Sequence, residues 1–496
     1  MAGSRGVTAA VHRKFNGGDV DARPFSVSGT HCRERARTGG ERRMNVRVVT
    51  EIPGEASKRL LAEQAAVESS ARAYPLLTPI AISHGDGAYL TDADGNVFLD
   101  FLTGAGVLVL GHNNQELLRA AQAQLQVSTH GLDFPTEAKG DFSRELLRML
   151  PEAMRGKTKI HFCGPTGADG VEAAVKLCKT YTGRSGFVSF HGGFHGSTQS
   201  TLALTGLRAS KELPGNPSVS SFFPYSYCHK CPLGLKPDSC SVNCIQYLEN
   251  MLNDPNGGTP KPAAVILELV QGEGGVIPAR PDYVRRLRDL TYELDIPLIV
   301  DEVQTGCGRT GTWYAFEQYG IEPDVIVSSK GLGGGHPVSV ILYNERLDGW
   351  KPAAHTGTFR GNQLAFAAGA TQIRVMERDD VLGNVRKVGS HLEDGLRRLQ
   401  EEHDFIGDVR GLGLMLGVEF GPIGTWSAGE VVDRVRTAAL RRGLIFEPAG
   451  RGGCVARLLP PLNLTREEAD EALEILTAAV SEVAVSAESL RGHDVR

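Results

Sequence analysis

Short apolar runs alternate with amphipathic stretches along most of this chain, and the alternation predicts strands and helices in turn. Residues 159–162, 186–190, 264–270, 297–300 and 325–328 are apolar runs rich in β-branched side chains. They have strand length and are too short for a packed helix. Between them, 168–181 and 281–294 carry apolar residues at helical spacing. Strands that are apolar on both faces and separated by helices predict a mainly parallel sheet covered on both sides. Upstream, 56–73 is helix-like, and 88–101 alternates around Asp94-Gly95-Asn96, which predicts a hairpin. Helical stretches follow at 115–126 and 136–150. From about Asn362 the order reads helix, strand (414–420), helix, strand (457–459), helix, a smaller α+β domain. The predicted organisation is a tail over 1–43, an N-terminal segment over 44–110 contributing to the small domain, a large domain over 111–361 with a Cys-rich insert at 225–245, and a C-terminal small domain over 362–496.

Composition changes this picture little. The chain has 496 residues, 41% hydrophobic and 22% charged, enough for a large core and two domains. A net charge of −5 argues against a nucleic-acid or anionic-membrane partner. No apolar run approaches the ~20 residues that span a bilayer. Residues 1–43 lack apolar periodicity and are expected to be disordered, with Met44 an alternative start. With no secretion signal, a reducing, cytoplasmic compartment is expected.

The unusual residues gather where strands end. Gly164-Pro165-Thr166-Gly167-Ala168-Asp169-Gly170 follows a strand and opens a helix. Free amides there, with glycines allowing close approach, can cradle a phosphate, although a plain turn reads the same way. The spacing fits neither a P-loop nor a dinucleotide fingerprint. Asp301 ends the apolar run 297–300, where a buried carboxylate needs a partner. A protonated pyridine nitrogen, a core arginine and a helix cap would each serve. Lys330 ends the neighbouring run and precedes Gly331, Gly333, Gly334 and Gly335, a setting that suits a lysine reacting with a carbonyl. A solvated surface lysine is the plain alternative.

Taken together and in chain order, Asp301-Glu302-Val303-Gln304-Thr305-Gly306-Cys307-Gly308-Arg309-Thr310-Gly311, Ser329-Lys330-Gly331 and Gly357-Thr358-Phe359-Arg360-Gly361-Asn362 resemble the class III (omega) aminotransferases. The resemblance runs from about Tyr74 to Leu464. It implies the fold-type I architecture of enzymes that use pyridoxal 5′-phosphate (PLP): a large domain with a mainly parallel sheet of the seven-stranded type, plus a smaller α+β domain. It also implies a homodimer with a shared active site. Carried over by motif, Lys330 is the Schiff-base lysine and proton-shift base, and Asp301 holds the pyridine nitrogen protonated. Gly167 and Ala168 bind the phosphate, with Thr358 from the other subunit. Phe194, within Gly193-Phe194-His195-Gly196, stacks on one ring face and Val303 on the other; His195 belongs to the same cofactor-binding motif. Gln304 reaches the phenolic oxygen. Glu273 pairs with Arg457, the arginine that receives glutamate's α-carboxylate, and Glu268 is a supporting acid behind them. A racemase or aminomutase has no need of that pair, and a PLP-free relative would have lost Lys330 or Asp301.

One position bears on substrate. The 4-aminobutyrate enzymes of the family usually carry arginine after the His-Gly of the ring-stacking motif; here it is Ser197, which cannot clamp a carboxylate. The runs 162–169, 189–196 and 355–363 look more like the diaminobutyrate–2-oxoglutarate aminotransferases. That likeness implies exchange between glutamate/2-oxoglutarate and diaminobutyrate/aspartate 4-semialdehyde, with another ω-amine or an oxidised amino sugar as the competing acceptor.

Cys228-His229-Lys230-Cys231 followed by Cys240-Ser241-Val242-Asn243-Cys244 admits three readings: structural zinc on Cys228, Cys231, Cys240 and Cys244, free thiols, or transient disulfides. A zinc-dependent nucleic-acid binder would need a basic surface that this chain lacks. Cys163 and Cys307, inside the site motifs, are expected to be buried packing residues.

Overall fold

The computed structural model describes residues 46–211 and 220–491. The expected tail over 1–43 lies outside the described residues. At the centre is a seven-stranded sheet of β1 (Thr158–Phe162), β2 (Phe187–Phe190), β3 (Ser220–Phe223), β4 (Ala264–Leu267), β5 (Leu298–Asp301), β6 (Val325–Ser328) and β7 (Val340–Asn344). Their spatial order is β1-β7-β6-β5-β4-β2-β3. Only β7 runs against its neighbours, antiparallel to β6 and β1; the remaining pairs are parallel.

Strands β2, β4, β5 and β6 are buried at every residue, which explains why they read as unbroken apolar runs rather than alternating ones. Successive side chains still go to opposite faces. Ile266, Ile299, Val325 and Val327 pack with Val171, Ala174 and Leu177 of α1 (Gly167–Thr182). Val265, Leu267, Leu298 and Val300 pack on the other side with Tyr283, Val284 and Leu287 of α2 (Pro281–Glu293). Each such aliphatic side chain contributes about 1.5–3 kcal/mol when fully buried, so the sheet is held by two cores at once.

A second, antiparallel sheet is built from β8 (Ile406–Leu412), β9 (Met415–Phe420), β10 (Glu447–Ala449) and β11 (Val455–Leu458), in the order β8-β9-β11-β10. The hairpin expected around Asp94-Gly95-Asn96 is present, Tyr89–Asp92 pairing with Val97–Asp100. Leu444–Ile445 adds to it in parallel, joining the N-terminal segment to the C-terminal part of the chain. The elements differ from expectation in several places. The first helix ends at Val67, the run 264–270 breaks after Leu267 and resumes as Val270–Gln271, and β3 and β7 are additional strands.

Candidate active site

The parallel strands β2, β4, β5 and β6 all end at one edge of the sheet, and β1, reversed twice through β7, ends there too. Loops leaving those ends bring together residues far apart in sequence. Gly167 and Ala168 after β1, Phe194 and His195 after β2, Glu268 and Glu273 after β4, Asp301, Val303 and Gln304 at β5, and Lys330 after β6 line one cavity of about 140 Å³. Gly196 completes the wall. Ligands of open α/β sheets gather at this edge.

Asp301 is fixed from two sides. Its Oδ2 lies 2.8 Å from His195 Nδ1, and its Oδ1 accepts the Val303 amide at 3.1 Å. Both side chains are buried. Beneath them Glu268, just past the end of β4, accepts the amides of Phe194 (2.8 Å) and Gly272 (2.9 Å). Burial pushes its carboxyl up to about 7, and the neighbouring Asp301 adds to the shift; His195 and the two amides oppose it.

Lys330 opens a turn with φ of +40°, a backbone region that costs a non-glycine residue energy and recurs at functional sites. Burial lowers the pKa of its amine, as does Arg457, against the pull of Glu273, Glu268 and Asp301. A lowered pKa raises the fraction of neutral, nucleophilic amine.

The helix α1 starts at the cavity wall. Thr166 and Asp169 form a capping box, leaving the Gly167 and Ala168 amides without partners inside the helix. A Cβ at Gly167 would stand 2.7 Å from Val303, so only glycine lets this turn approach so closely. Gln304 Oε1 is buried with no partner among the described residues. These features fit a flat, phosphate-bearing ring: amides at one end, an acid at the other, and an orphaned polar atom at its rim.

Above the cavity, Arg457 on β11 is almost fully buried. Its Nη1 lies 2.5 Å from Glu273 Oε1, as expected, and its Nη2 lies 2.5 Å from Glu447 Oε2 on β10. Burial alone would lower the guanidinium's pKa, but the two carboxylates outweigh it and raise it. Glu447 was not foreseen. The signal was local: Gly450, Gly452 and Gly453 between two short runs mark a hairpin, and pairing across it sets Glu447 opposite Arg457. Half-exposed Tyr74 also belongs here. Burial raises its phenol's pKa, and Glu447 and Glu273 add to the effect.

Thr358 stands apart. It is exposed at the start of the turn Thr358–Arg360, where its carbonyl is 2.7 Å from His130 Nε2, and it does not line the cavity. Ser197 is exposed and offers no carboxylate clamp.

The zinc reading of the cysteines is corrected. Among the described residues no three His, Cys, Asp or Glu side chains gather to hold a metal. Cys244 is buried in the first turn of helix Asn243–Asn253, Cys240 Sγ accepts the Asn243 amide at 3.4 Å, and the Cys228 thiol engages Arg280. Burial, with Cys228 and Cys240 nearby, pushes the Cys244 thiol up to about 11, so these three thiols are neighbours that are not arranged as a ligand set. His229 and Lys230, within the first pair, turn instead to Glu419 of β9. Cys163 and Cys307 are buried, and burial pushes both thiols up to about 12, in keeping with packing roles.

Comparison with known proteins agrees with this geometry. The family model described as "Aminotransferase class-III" matches residues 69–480. The diaminobutyrate–2-oxoglutarate aminotransferase of Rhizobium meliloti is 46% identical over 423 residues, covering 83% of this chain and 90% of that protein. The enzyme of the same name from Haemophilus influenzae is 42% identical over 427 residues, covering 84% and 93%. Among solved structures, a PLP-bound amine transaminase from an uncultivated Pseudomonas species superposes with a TM-score of 0.76 at 29% identity, over 84% of this chain and 98% of that one.

Proposed function

The chain belongs to the class III aminotransferases, and from that membership we propose that it exchanges an amino group between L-glutamate and the terminal carbonyl of L-aspartate 4-semialdehyde. The products are 2-oxoglutarate and L-2,4-diaminobutyrate, and the reaction is reversible. The observation that carries the reading is the Arg457–Glu273 pair set over the cavity that holds Lys330 and Asp301. A glutamate-using aminotransferase must receive a second carboxylate in one half-reaction and none at that place in the other. An arginine whose partner sits on a turn can do both. The relatives' names, together with the exposed Ser197, support diaminobutyrate rather than 4-aminobutyrate as the other partner.

Bound PLP supplies an electron sink for the carbanion formed at the substrate carbon. Around it, the Gly167 and Ala168 amides would hold the phosphate, and Phe194 and Val303 the two ring faces. Gln304 would donate to the phenolic oxygen through its amide. Asp301, oriented by His195, would keep a proton on the pyridine nitrogen. Lys330 Nζ would carry the proton between the two carbons of the exchange. Glu268 would brace the loop bearing Phe194.

The same reading includes a cytoplasmic homodimer. Thr358, outside its own cavity, would serve the cavity of a second copy. Phe359, Phe134 and Leu132, exposed on the turns beside it, offer an apolar face for that copy to cover. Among the described residues no helix is long and apolar enough to cross a membrane.

A half-reaction panel tests the function, following the cofactor's absorbance on adding glutamate, diaminobutyrate, 4-aminobutyrate, ornithine or an amino sugar. Conversion by glutamate and diaminobutyrate supports the reading. Conversion by glutamate with failure of diaminobutyrate overturns the substrate and turns the search to other aldehydes.

A further inference from the structure

The turn that carries Glu273 does not hold its shape unaided. It joins Val270–Gln271 to Ile277–Pro278, and near its end Gly275 has φ of +117° and Val276 φ of +50°. Glycine suits positive φ, but a buried valine there is strained and persists only where its surroundings impose it. Arg410 of β8 supplies the constraint. Its Nε donates to the carbonyls of Gly275 (3.1 Å) and Val276 (2.9 Å), and its Nη2 donates to Gly275 again at 2.5 Å. Earlier in the turn, Glu268 accepts the Gly272 amide, and the Gly450 amide donates to the Glu273 carbonyl at 3.0 Å.

Arg410 is itself held. Its Nη1 lies 2.8 Å from Asp408 Oδ2 and its Nη2 2.8 Å from Glu419 Oε2. Glu419 is buried and gripped by Tyr227 and Lys230 of the Cys-rich insert, and the Arg410 guanidinium lies 5.3 Å from the centre of the Tyr227 ring. Two carboxylates thus fix the planar fork so that its remaining N–H groups meet the two carbonyls. Arg410 does not line the cavity. With the backbone tied at Gly272, Glu273, Gly275 and Val276, the Glu273 side chain is what remains free to move between contact with Arg457 and withdrawal.

We propose that Arg410 is a positioning residue for the Glu273–Arg457 pair: by imposing the strained Gly275–Val276 backbone it sets Glu273 against Arg457 and favours the closed pair. This rests on the reading above, in which the pair opens for glutamate and stays closed for the second substrate. The closed pair serves an amine whose reacting carbon bears no carboxylate, because its ammonium then meets a covered guanidinium.

The test is Arg410→Met in the PLP-loaded enzyme, with both half-reactions measured against substrate concentration. For diaminobutyrate KM should rise about tenfold with a smaller change in kcat, the scale of one good hydrogen bond lost. For glutamate KM should hold or fall, because the pair opens more readily. Arg410→Lys, which keeps a cation for Glu419 and a donor for the turn, should recover part of the preference, and Asp408→Asn should shift it the same way by less. These two variants carry the test if Arg410→Met does not fold. Placed on Glu273→Gln, either Arg410 variant should leave the ratio of the two kcat/KM values within ~twofold of the Glu273→Gln protein, because Arg410 acts through Glu273. Parallel losses with both substrates, or the same shift in ratio with and without Glu273, would overturn the proposal. Wild-type enzyme that converts glutamate but not diaminobutyrate, or a Glu273→Gln protein with the wild-type ratio, would sink the parent reading and the proposal with it.

Discussion

His195 Nδ1 and Asp301 Oδ2 meet at 2.8 Å in a buried contact that joins the loop after β2 to the end of β5. Asp301 is also held by the amide of Val303, two residues on. The acid at the centre of the cavity is therefore aimed by its surroundings before any ligand arrives, which is what a site needs to stabilise charge without reorganising.

Removing one of those supports should be felt in the chemistry. His195→Ala is expected to lower kcat roughly 10–100-fold, the equivalent of losing a hydrogen bond to a charged group. The cofactor's absorbance band should shift as well, because the pyridine nitrogen loses a well-placed counter-charge. Wild-type kinetics with an unshifted spectrum would mean that Asp301 needs no help from His195.

Lys330→Ala separates holding the cofactor from using it. Phosphate binding is assigned to the α1 amides, so PLP should remain with the protein through dialysis at reduced affinity. Turnover should fall by at least ~10²–10⁴-fold, the usual scale for losing a general acid–base group. Turnover near the wild-type rate would remove Lys330 from the mechanism.

Arg457→Ala tests the paired arginine. The glutamate half-reaction should lose far more than the diaminobutyrate half-reaction, in KM above all, because only glutamate places a carboxylate on the guanidinium. The variant also leaves Glu273 and Glu447 facing each other without a cation, so some loss of stability is expected. Equal losses in both half-reactions would count against the switch.

Much of this was legible in the chain because it is local. Asp301 and Lys330 stand at the ends of apolar runs, and a parallel sheet sends all such ends to one edge. The contact of Arg457 with Glu273 spans 184 positions and was reached only through the family resemblance. Two strands of the central sheet escaped the reading. Val340–Asn344 follows a glycine-rich loop and runs antiparallel, so no helix precedes it to announce a βαβ unit. Ser220–Phe223 is only partly buried over its first three residues and starts with two serines, a weak apolar signal. Cysteine spacing admitted zinc beside free thiols and transient disulfides because spacing carries no direction; the fold commits Cys240 to a helix start and buries Cys244.

Glu268 makes stability depend on pH in a sense opposite to that of most carboxylates. Its ordinary value of 4.5 is raised to about 7 by burial. In the cofactor-free protein the folded state therefore holds a proton that the unfolded state has released over the window between about 4.5 and 7. With more protons bound to the native form, stability falls as pH rises through that window, by at most ~1.4 kcal/mol per unit, and stays reduced above it. Glu268→Gln keeps an acceptor for one of the two amides and removes the titration. Its offset from the wild type should therefore contain a constant cost, for the second amide, and a pH-dependent gain. Denaturant unfolding of both cofactor-free proteins at pH 5, 6, 7 and 8 reads the slope alone. The variant should gain on the wild type up to pH 7 and hold level beyond it. A difference that is flat across the series would mean that Glu268 is already ionised at pH 5, with its two amides and His195 outweighing burial.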